Sequence, residues 1–401
     1  MAQAFRLGLD SALVRPSNRD ERSWVQSRAG VAALTSLQKR AETGLNIVTL
    51  RRDSIEEHFI TGTPEGDESP ESLFRRVGEA VRQLGGKVVS IESLGMAAAD
   101  RASLKVLIGA LKDKDAPVGW IENSRTDNLC GVHVWAVSGA GTIPVHANGR
   151  RIGTLLEDGH ARYLRLVGLL PIDRTCAQPQ QAAAILRQMD SALADQGMGF
   201  SNVLRTWFYN NDILAWYRDF NAVRNGFFRE RGVFNGMMPA STGVAGRNAV
   251  EAALITGLIA IEAKNPAVKA YAVPSPLQSS AADYGSSFSR AVELDLPDHR
   301  RLYVSGTASI DRSGKTVFVG DCRAQVKQTM EVVQAILRSR GMDWTDVTRS
   351  LAYFKRAPDA FLFEEYRKEC GLPSFPAIVV ENDICRDELL YEIEVDALKA
   401  K

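Results

Sequence analysis

Residues 341–349 read GMDWTDVTR, and residues 197–205 read GMGFSNVLR. An aromatic, strand-like run follows each stretch, at 207–209 and at 353–354. An amphipathic helical pattern precedes each stretch, and a second helical pattern follows each aromatic run. The same order of elements in two places predicts an internal repeat of one folded unit.

The repeated unit extends to both sides of this match. A strand pattern that ends in glycine opens each copy, at 162–168 and at 300–306, and a Pro-Ala dipeptide precedes the last apolar segment. The predicted unit is therefore strand-strand-helix-strand-helix-strand. Residues 46–140 hold a weaker version of the pattern, with helices predicted at 73–84 and 98–111, and they indicate a third, degenerate copy.

The composition is that of a soluble globular protein. The chain has 401 residues, 45% of them apolar and 24% charged, and its net charge is +1. This balance gives no basic footprint for nucleic acid, and no apolar run approaches the ~20 residues needed to span a membrane. The five cysteines are odd in number and form no Cys-x-x-Cys pair, which argues against a disulfide framework or a structural zinc. We therefore expect a cytoplasmic protein.

The last predicted strand, 385–397, carries three acidic residues on one face. Side chains alternate along a strand, so Glu392, Glu394 and Asp396 point one way while the apolar side chains between them point the other. Like charges and burial both raise the pKa of a carboxyl group, and a carboxyl that stays protonated near neutral pH can act as a general acid. The alternative is that this acidic face is simply solvated.

The C-terminal unit resembles the RidA/YjgF family. The matching features are Ser305-Gly306, the Gly-x-x-Trp-x-Asp-Val run, the Pro-Ala dipeptide at 376–377 and the Tyr-Glu-Ile-Glu run at 391–394. Proteins of that family are trimers of one such unit with active sites between neighbours, and they hydrolyse reactive imines with an arginine after the proline. Ala377 and Ala240 occupy that position in this chain, which argues against imine hydrolysis.

Roughly residues 100–401 are more similar to the chorismatases, which resemble a RidA-like trimer fused into one polypeptide. The matching motifs are ARY at 161–163, RTWFYNNDILAWY at 205–217, PASTG at 239–243, SGTAS at 305–309 and NDICRDELL at 382–390. The resemblance implies an α+β fold of tandem RidA/YjgF-like (chorismate-mutase-like) units that form a pseudo-trimer in one chain. The predicted boundaries are an arm at 1–45, a degenerate unit at 46–143, a middle unit at 144–266 and a catalytic unit at 267–401.

The resemblance also implies a reaction. Chorismatases cleave chorismate to pyruvate and a ring product without a metal or cofactor, by protonating the methylene carbon of its vinyl ether, and Glu392 matches their catalytic acid. Chorismate carries two carboxylates, so arginines are expected around it. The substrate-binding residues that the motifs suggest are Arg162, Tyr163, Arg205, Tyr217, Arg224 and Arg367. Arg205 has the alternative of a structural role shared with its repeat partner Arg349, and Tyr217 has that of a core residue.

Cys385, seven residues before Glu392, bears on the choice of product. Cysteine at this position accompanies the hydroxybenzoate-forming chorismatases, and the alternative is a cysteine that only packs. A small, weakly polar side chain displaces ordered water and favours attack by the ring's own hydroxyl over hydrolysis. Ala308 is the expected partner position, and alanine rather than glycine there leaves 4-hydroxybenzoate open as a second product.

The sequence therefore predicts an enzyme that converts chorismate to 3-hydroxybenzoate and pyruvate at a site between the middle and C-terminal units. No metal, cofactor, nucleic-acid partner or membrane is expected, and the chain is expected to be a monomer or a small homo-oligomer. Two alternatives stay open, a RidA-type imine hydrolase and a non-catalytic protein that binds small aromatic acids.

Overall fold

The computed structural model of the chain describes residues 35–95, 102–124 and 130–401. Three six-stranded sheets with the same strand arrangement follow one another along the chain. Most of the predicted arm and the start of the helix predicted at 98–111 lie outside the described residues. The predicted boundaries between units stay predictions.

The first unit begins earlier than the sequence pattern indicated, because its first strand lies within the segment assigned to the arm. Its elements are β1 (Ser36–Glu42), β2 (Leu45–Arg52), β3 (Ile55–Gly62), α1 (Pro70–Gln83), β4 (Lys87–Leu94), α2 (Leu104–Leu111), β5 (Val118–Ile121) and β6 (Gly131–Ser138). The strand order is β1-β2-β3-β6-β4-β5. Ser69 caps α1 by accepting a hydrogen bond from the backbone N–H of Ser72, and Pro70 suits the first helical turn.

The middle unit repeats this arrangement, in the order β11-β10-β12-β9-β8-β7. Its elements are β7 (Thr142–Ala147), β8 (Arg150–Glu157), β9 (Ala161–Leu169), α3 (Gln178–Ala194), β10 (Val203–Asn210), α4 (Ile213–Glu230), β11 (Ala240–Ala245) and β12 (Leu254–Ala263). Helix α4 buries a stripe of side chains at helical spacing that includes Trp216, Phe220 and Phe227. Arg224 lies on the same buried stripe, where a charged residue is unusual.

The C-terminal unit has the order β13-β14-β15-β18-β16-β17. Its elements are β13 (Lys269–Val273), β14 (Ala291–Asp295), β15 (His299–Ala308), α5 (Cys322–Ser339), β16 (Val347–Phe354), α6 (Phe361–Glu369), β17 (Ile378–Glu381) and β18 (Tyr391–Ala400). The predicted unit of four strands was incomplete, because three strands precede the first helix and two follow the second. Strand β13 is largely exposed and β17 has only four residues, so neither gives a clear alternation of apolar and polar residues.

The three units pack in a closed cycle. Strands β4 and β5 contact β8 and β9 at the first–middle seam, β11 contacts β15 at the middle–C-terminal seam, and β16 and β17 contact β3 and β6 at the C-terminal–first seam. This cyclic packing of tandem units confirms the predicted fold class. A cavity of about 50 Å³ lies where the three sheets meet, and Glu92, Trp207 and Arg349 are among its lining residues. None of the helices in the described part of the chain combines the length and apolar character that crossing a bilayer requires.

Candidate active site

Glu392 lies at the middle–C-terminal seam, in a space that a glycine leaves open. It stands on β18 between Ala308 of β15 and Tyr353 of β16. A Cβ atom on Gly306 would lie only 2.0 Å from Oε1 of Glu392 and 3.3 Å from Cγ2 of Thr242 on β11. The backbone N–H of Gly306 donates a hydrogen bond to Oγ1 of Thr242 at 3.1 Å. The carboxyl group of one unit is thus enclosed by the backbone of its own sheet and by a side chain of the middle unit.

The environment of Glu392 favours its protonated form. The residue is only 4% exposed. Burial, followed by the charge of Glu394, raises the pKa of the Glu392 carboxyl to about 8, and Arg205 opposes this rise. The alternative that the acidic face of this strand is solvated is therefore wrong, because both Glu392 and Glu394 are buried. A carboxyl group that keeps its proton at pH 7 can donate it to a substrate.

Cys385 lies beside this carboxyl group, in the loop before β18. Burial, followed by the charge of Glu392, raises the pKa of the Cys385 thiol to about 12. Tyr217 of α4 hydrogen-bonds this thiol, and burial raises the pKa of the tyrosine as well. Cys385 is therefore a neutral thiol rather than a nucleophilic thiolate. Ala308 packs in the same small apolar group as Cys385, together with Ile384.

Two buried arginines lie near Cys385, Arg224 directly and Arg290 through Tyr284. Arg224 of α4 interacts with Tyr217 and Cys385, and its Nη2 donates to Oδ1 of Asn221 at 2.8 Å. Arg290 lies 5.4 Å from the ring of Tyr284, which itself interacts with Cys385, and its Nε donates to the carbonyl of Ser279 at 2.9 Å. These side chains belong to α4 of the middle unit and to the segment before β14.

Neither arginine has a carboxylate partner within ion-pair distance among the described residues. One nitrogen of each, Nε of Arg224 and Nη2 of Arg290, is buried without a hydrogen-bond partner. Burial lowers the pKa of both guanidinium groups. Asp283 is near Arg290 but forms no ion pair with it. A buried cation without a counter-ion is costly, and each of these guanidinium groups has a free N–H that can donate to an anion.

We refer to these side chains together as the Glu392 cluster. Its members are Thr242, Gly306, Glu392, Cys385, Tyr217, Arg224, Tyr284 and Arg290. Glu392, Thr242 and both arginines are buried, whereas Cys385, Tyr217 and Gly306 are half-buried. Five residues predicted from the sequence therefore lie together, namely Glu392, Cys385, Tyr217, Arg224 and Ala308.

The remaining predicted arginines are already paired elsewhere. Arg205 is fully buried and its Nη2 lies 2.8 Å from Oε2 of Glu394. These contacts agree with the alternative given for Arg205, which is a structural role rather than substrate binding. Arg162 is partly exposed and pairs with Glu262 at 2.5 Å, and Arg367 of α6 pairs with Glu364 at 2.5 Å.

Tyr163 also lies apart from the Glu392 cluster. Its hydroxyl donates to Oδ2 of Asp158 at 3.1 Å, and the guanidinium of Arg301 stacks 5.0 Å above its ring. Arg301 in turn pairs with Glu57 of the first unit. Tyr163 is therefore part of a buried ion network between units, and its expected contact with substrate has no support from its position.

Sequence reasoning did not single out Arg290, Tyr284 or Thr242 for a role. Thr242 and Gly306 lie within quoted motifs, PASTG and SGTAS, but a motif alone does not say that the two meet across a seam. Arg290 comes directly before β14 and carries no periodic signal. Arg290 stands out only in the structure, because it is buried without a counter-ion. Within the described ranges no group of three or more His, Cys, Asp or Glu side chains could hold a metal ion.

Comparison with known proteins agrees with this architecture. The family model described as Endoribonuclease L-PSP matches residues 279–398, which is the C-terminal unit. A RutC family protein of Pyrococcus horikoshii is 31% identical over 99 residues, which is 24% of this chain and 79% of that protein. The chain belongs to the RutC family. A second RutC family protein, from Pyrococcus abyssi, is 30% identical over 99 residues, or 24% of this chain and 78% of its own length.

Two further comparisons extend the similarity of this RutC family chain beyond its last unit. A 3-hydroxybenzoate synthase of Streptomyces hygroscopicus is 27% identical over 274 residues, covering 62% of this chain and 77% of that protein. The crystal structure of a chorismatase matches 85% of this chain and 98% of its own, with a TM-score of 0.58 and 19% identity. The resemblance to the chorismatases predicted from the sequence is confirmed, and the structural match shows a shared fold.

Proposed function

We propose that this protein is a chorismatase that cleaves chorismate to pyruvate and 3-hydroxybenzoate. The observation that carries the proposal is the buried, protonated Glu392 beside Cys385, in a cluster that also contains two buried arginines without counter-ions. The similarity to a 3-hydroxybenzoate synthase supports this substrate and product. An acid that holds its proton at neutral pH and a pair of unsatisfied cations are what a dianionic enol ether requires.

The first step is a proton transfer to carbon. The carboxyl of Glu392 gives its proton to the methylene carbon of the enolpyruvyl group, and the electron pair of the C=C bond forms the new C–H bond. The ether oxygen then shares the positive charge of the resulting oxocarbenium ion, while Glu392 becomes a carboxylate. General acid catalysis of this kind contributes about 10²–10⁴ in rate. The new carboxylate also stabilises the cation that it has just created.

The two carboxylates of the substrate are proposed to bind Arg224 and Arg290. Each guanidinium has one buried N–H without a partner, so binding an anion would satisfy a donor that is otherwise left unpaired. Tyr217 and Asn221 fix the side of the pocket that contains Arg224. Held in this way, the vinyl ether lies between Cys385 and Glu392.

The neutral Cys385 thiol and Ala308 are proposed to determine the product. Both are small and pack in the same apolar group, so this wall of the pocket offers little to hold an ordered water molecule. With water excluded, the ring hydroxyl attacks the oxocarbenium carbon, and its proton passes to the original ether oxygen as the bond between that oxygen and the oxocarbenium carbon breaks, so that this oxygen stays on the ring as a hydroxyl. The ring carbon–oxygen bond of the attacking group then breaks and releases pyruvate, whose keto oxygen is the former ring hydroxyl oxygen. Loss of a proton from the resulting ring cation to the Glu392 carboxylate gives 3-hydroxybenzoate. A water molecule at this position would give a dihydrodiol instead.

The proposal is tested by incubating the metal-stripped protein with chorismate and measuring pyruvate and the aromatic products by chromatography. We expect pyruvate and 3-hydroxybenzoate in equal amounts. Glu392→Gln should fold normally and lose activity by about 10²–10⁴. Glu388→Gln, which removes an exposed carboxyl from the preceding loop, is the matched control and should keep full activity.

Several outcomes would contradict the proposal. Full activity of Glu392→Gln would show that another group is the acid. Pyruvate with a dihydrodiol would keep the reaction class and overturn the product. Tight binding of chorismate without pyruvate would indicate a binding protein, and ammonia release from 2-aminoacrylate would favour an imine hydrolase.

A further inference from the structure

Glu394 lies next to Glu392 on the same face of β18 and is completely enclosed. It is two residues along the strand, so the two side chains stand roughly 7 Å apart at the backbone. Glu394 has no exposed surface. Its Oε1 accepts hydrogen bonds from Nη1 of Arg349 at 2.6 Å and from Nε1 of Trp207 at 2.9 Å, and its Oε2 accepts from Nη2 of Arg205 at 2.8 Å.

All three of these contacts are donated to Glu394. Both oxygens act as acceptors, which is the bonding pattern of a carboxylate rather than of a carboxylic acid. Arg205 and Trp207 come from the middle unit, whereas Arg349 comes from the C-terminal unit and also contacts Glu92 of the first unit at 3.2 Å. The negative charge of Glu394 is therefore fixed by residues from two units and linked to the third.

We propose that Glu394 is a positioning residue for the reaction, whose fixed negative charge keeps the proton on Glu392 until the substrate accepts it. This proposal rests on the proposed function only for its biological purpose, because the effect on Glu392 exists without substrate. A neighbouring negative charge makes ionisation of Glu392 less favourable, and the three hydrogen bonds that Glu394 accepts match a carboxylate at this neighbouring position.

The other groups that face Glu392 are few. Arg205 of β10 is the opposing cation, Cys385 and Tyr217 are neutral weak acids, and Tyr353 stands opposite on β16. Gly306, Ala308 and Thr242 complete the surroundings from β15 and β11 and do not titrate. Glu394 and Arg205 are therefore the two charges whose removal should move the titration of Glu392, and they should move it in opposite directions.

The test follows the C=O stretch of the protonated carboxyl group by infrared difference spectroscopy in the absence of substrate. The band is assigned to Glu392 by its loss in Glu392→Gln. Its midpoint should lie near pH 8 in the unaltered protein. Glu394→Gln should lower this midpoint by about one pH unit or more, whereas Arg205→Gln should raise it. Where chorismate is turned over, the alkaline limb of kcat/KM should move in the same directions.

Glu92→Gln is the matched control, because it breaks the same ion network at its far end. Glu92 pairs with Arg349 and Arg165 and does not face Glu392. It should leave the midpoint of Glu392 unchanged, whereas a general loosening of the network would shift it. An unchanged or raised midpoint in Glu394→Gln overturns the proposal. If Glu394→Gln does not fold, the proposal is tested with Arg205→Gln. An unchanged or lowered midpoint of Glu392 in that variant overturns the proposal. Absence of chorismate turnover would reject the proposed function, but the proposed effect of Glu394 on the protonation of Glu392 would still stand.

Discussion

The three seams of the molecule are related by the internal repeat, yet only one of them has a carboxyl group at the position of Glu392. In each sheet the central strand pair has one irregularity in register, between Val88 and Ser90, between Val203 and Arg205, and between Val347 and Arg349. Equivalent residue pairs lie the same number of residues after Ser90, Arg205 and Arg349. These pairs are Leu94 with Gly131, Tyr209 with Ile255, and Tyr353 with Glu392. Glycine and isoleucine thus occupy the two positions equivalent to Glu392.

At the other two seams, backbone or apolar side chains fill the corresponding space. At the first–middle seam a Cβ atom on Gly168 would lie 2.0 Å from the carbonyl oxygen of Val118, so backbone packs directly on backbone. At the C-terminal–first seam a Cβ atom on Gly131 would lie 3.0 Å from the side chain of Ile378. At the middle–C-terminal seam the corresponding space beside Gly306 contains the carboxyl of Glu392. The three seams of the repeat therefore differ in what occupies this space, which is a carboxyl group at one seam and backbone or apolar atoms at the other two.

The largest expected effect comes from filling this space. Gly306→Ala would place a methyl group where Oε1 of Glu392 lies, and the flexible carboxyl would move away without disturbing the backbone. A displacement of about 1 Å at a catalytic group can cost 10²-fold in rate, so we expect kcat/KM for chorismate to fall by about 100-fold or more. Thermal unfolding should change little.

Gly243→Ala is the control for this substitution. A Cβ atom on Gly243 would lie 3.6 Å from the ring of Tyr217, which is ordinary van der Waals contact. It adds the same methyl group at the same seam without reaching Glu392. Equal loss of activity in both variants would mean that the seam does not tolerate added volume in general, and the specific role of the space beside Gly306 would be wrong.

A second prediction concerns the folding stability that the protein loses when the buried carboxyl of Glu392 ionises. The pKa of Glu392 is about 8 in the folded protein and near 4.5 when unfolded. Because the folded-state pKa is raised, the contribution of Glu392 to stability is complete below pH 4.5 and is lost as the pH rises towards 8. Glu392→Gln removes this loss. We expect the variant to gain stability over the parent with rising pH, by about 4–5 kcal/mol near pH 8.5.

The measurement is denaturant unfolding of both proteins at several pH values. Asp396, whose pKa burial raises to about 6, contributes equally to both and cancels in the difference. Glu388→Gln, at an exposed position, serves as the control and should show a flat difference. A flat difference for Glu392→Gln as well would mean that Glu392 is ionised at neutral pH in the folded protein.

The comparison of seams also shows what the sequence could reveal. The repeat, the fold class and the acidic strand were predictable, because periodicity and motif order are local properties of the chain. The strand pattern singled out three acidic residues, and the choice of Glu392 among them, like the choice of Cys385, came from the resemblance to the chorismatases. The two extra strands of the C-terminal unit, β13 and β17, carried too little pattern to be recognised, because β13 is largely exposed and β17 has only four residues.

The arginines show where sequence reasoning stopped. Arg205 lies in a long motif, but its carboxylate partner Glu394 is 189 residues away and belongs to another unit. Whether a guanidinium is free to bind a ligand depends on such distant partners, which motif position does not reveal. Arg290 was missed for the opposite reason, because it lies in no motif and its only signal is burial without a counter-ion.

The smallest expected effects separate free from paired arginines. Arg224→Met and Arg290→Met should each raise KM for chorismate by about 10- to 100-fold, because a hydrogen bond to a charged group contributes about 1.5–3 kcal/mol. Arg162→Met should leave KM and kcat within a factor of about 2, since its partly exposed pair with Glu262 is worth little. Steady-state kinetics with pyruvate detection measures all three. If Arg162→Met raised KM as much as the other two, the anion site would not be defined by unpaired charge. The motif positions would then have been the better guide to where the substrate binds.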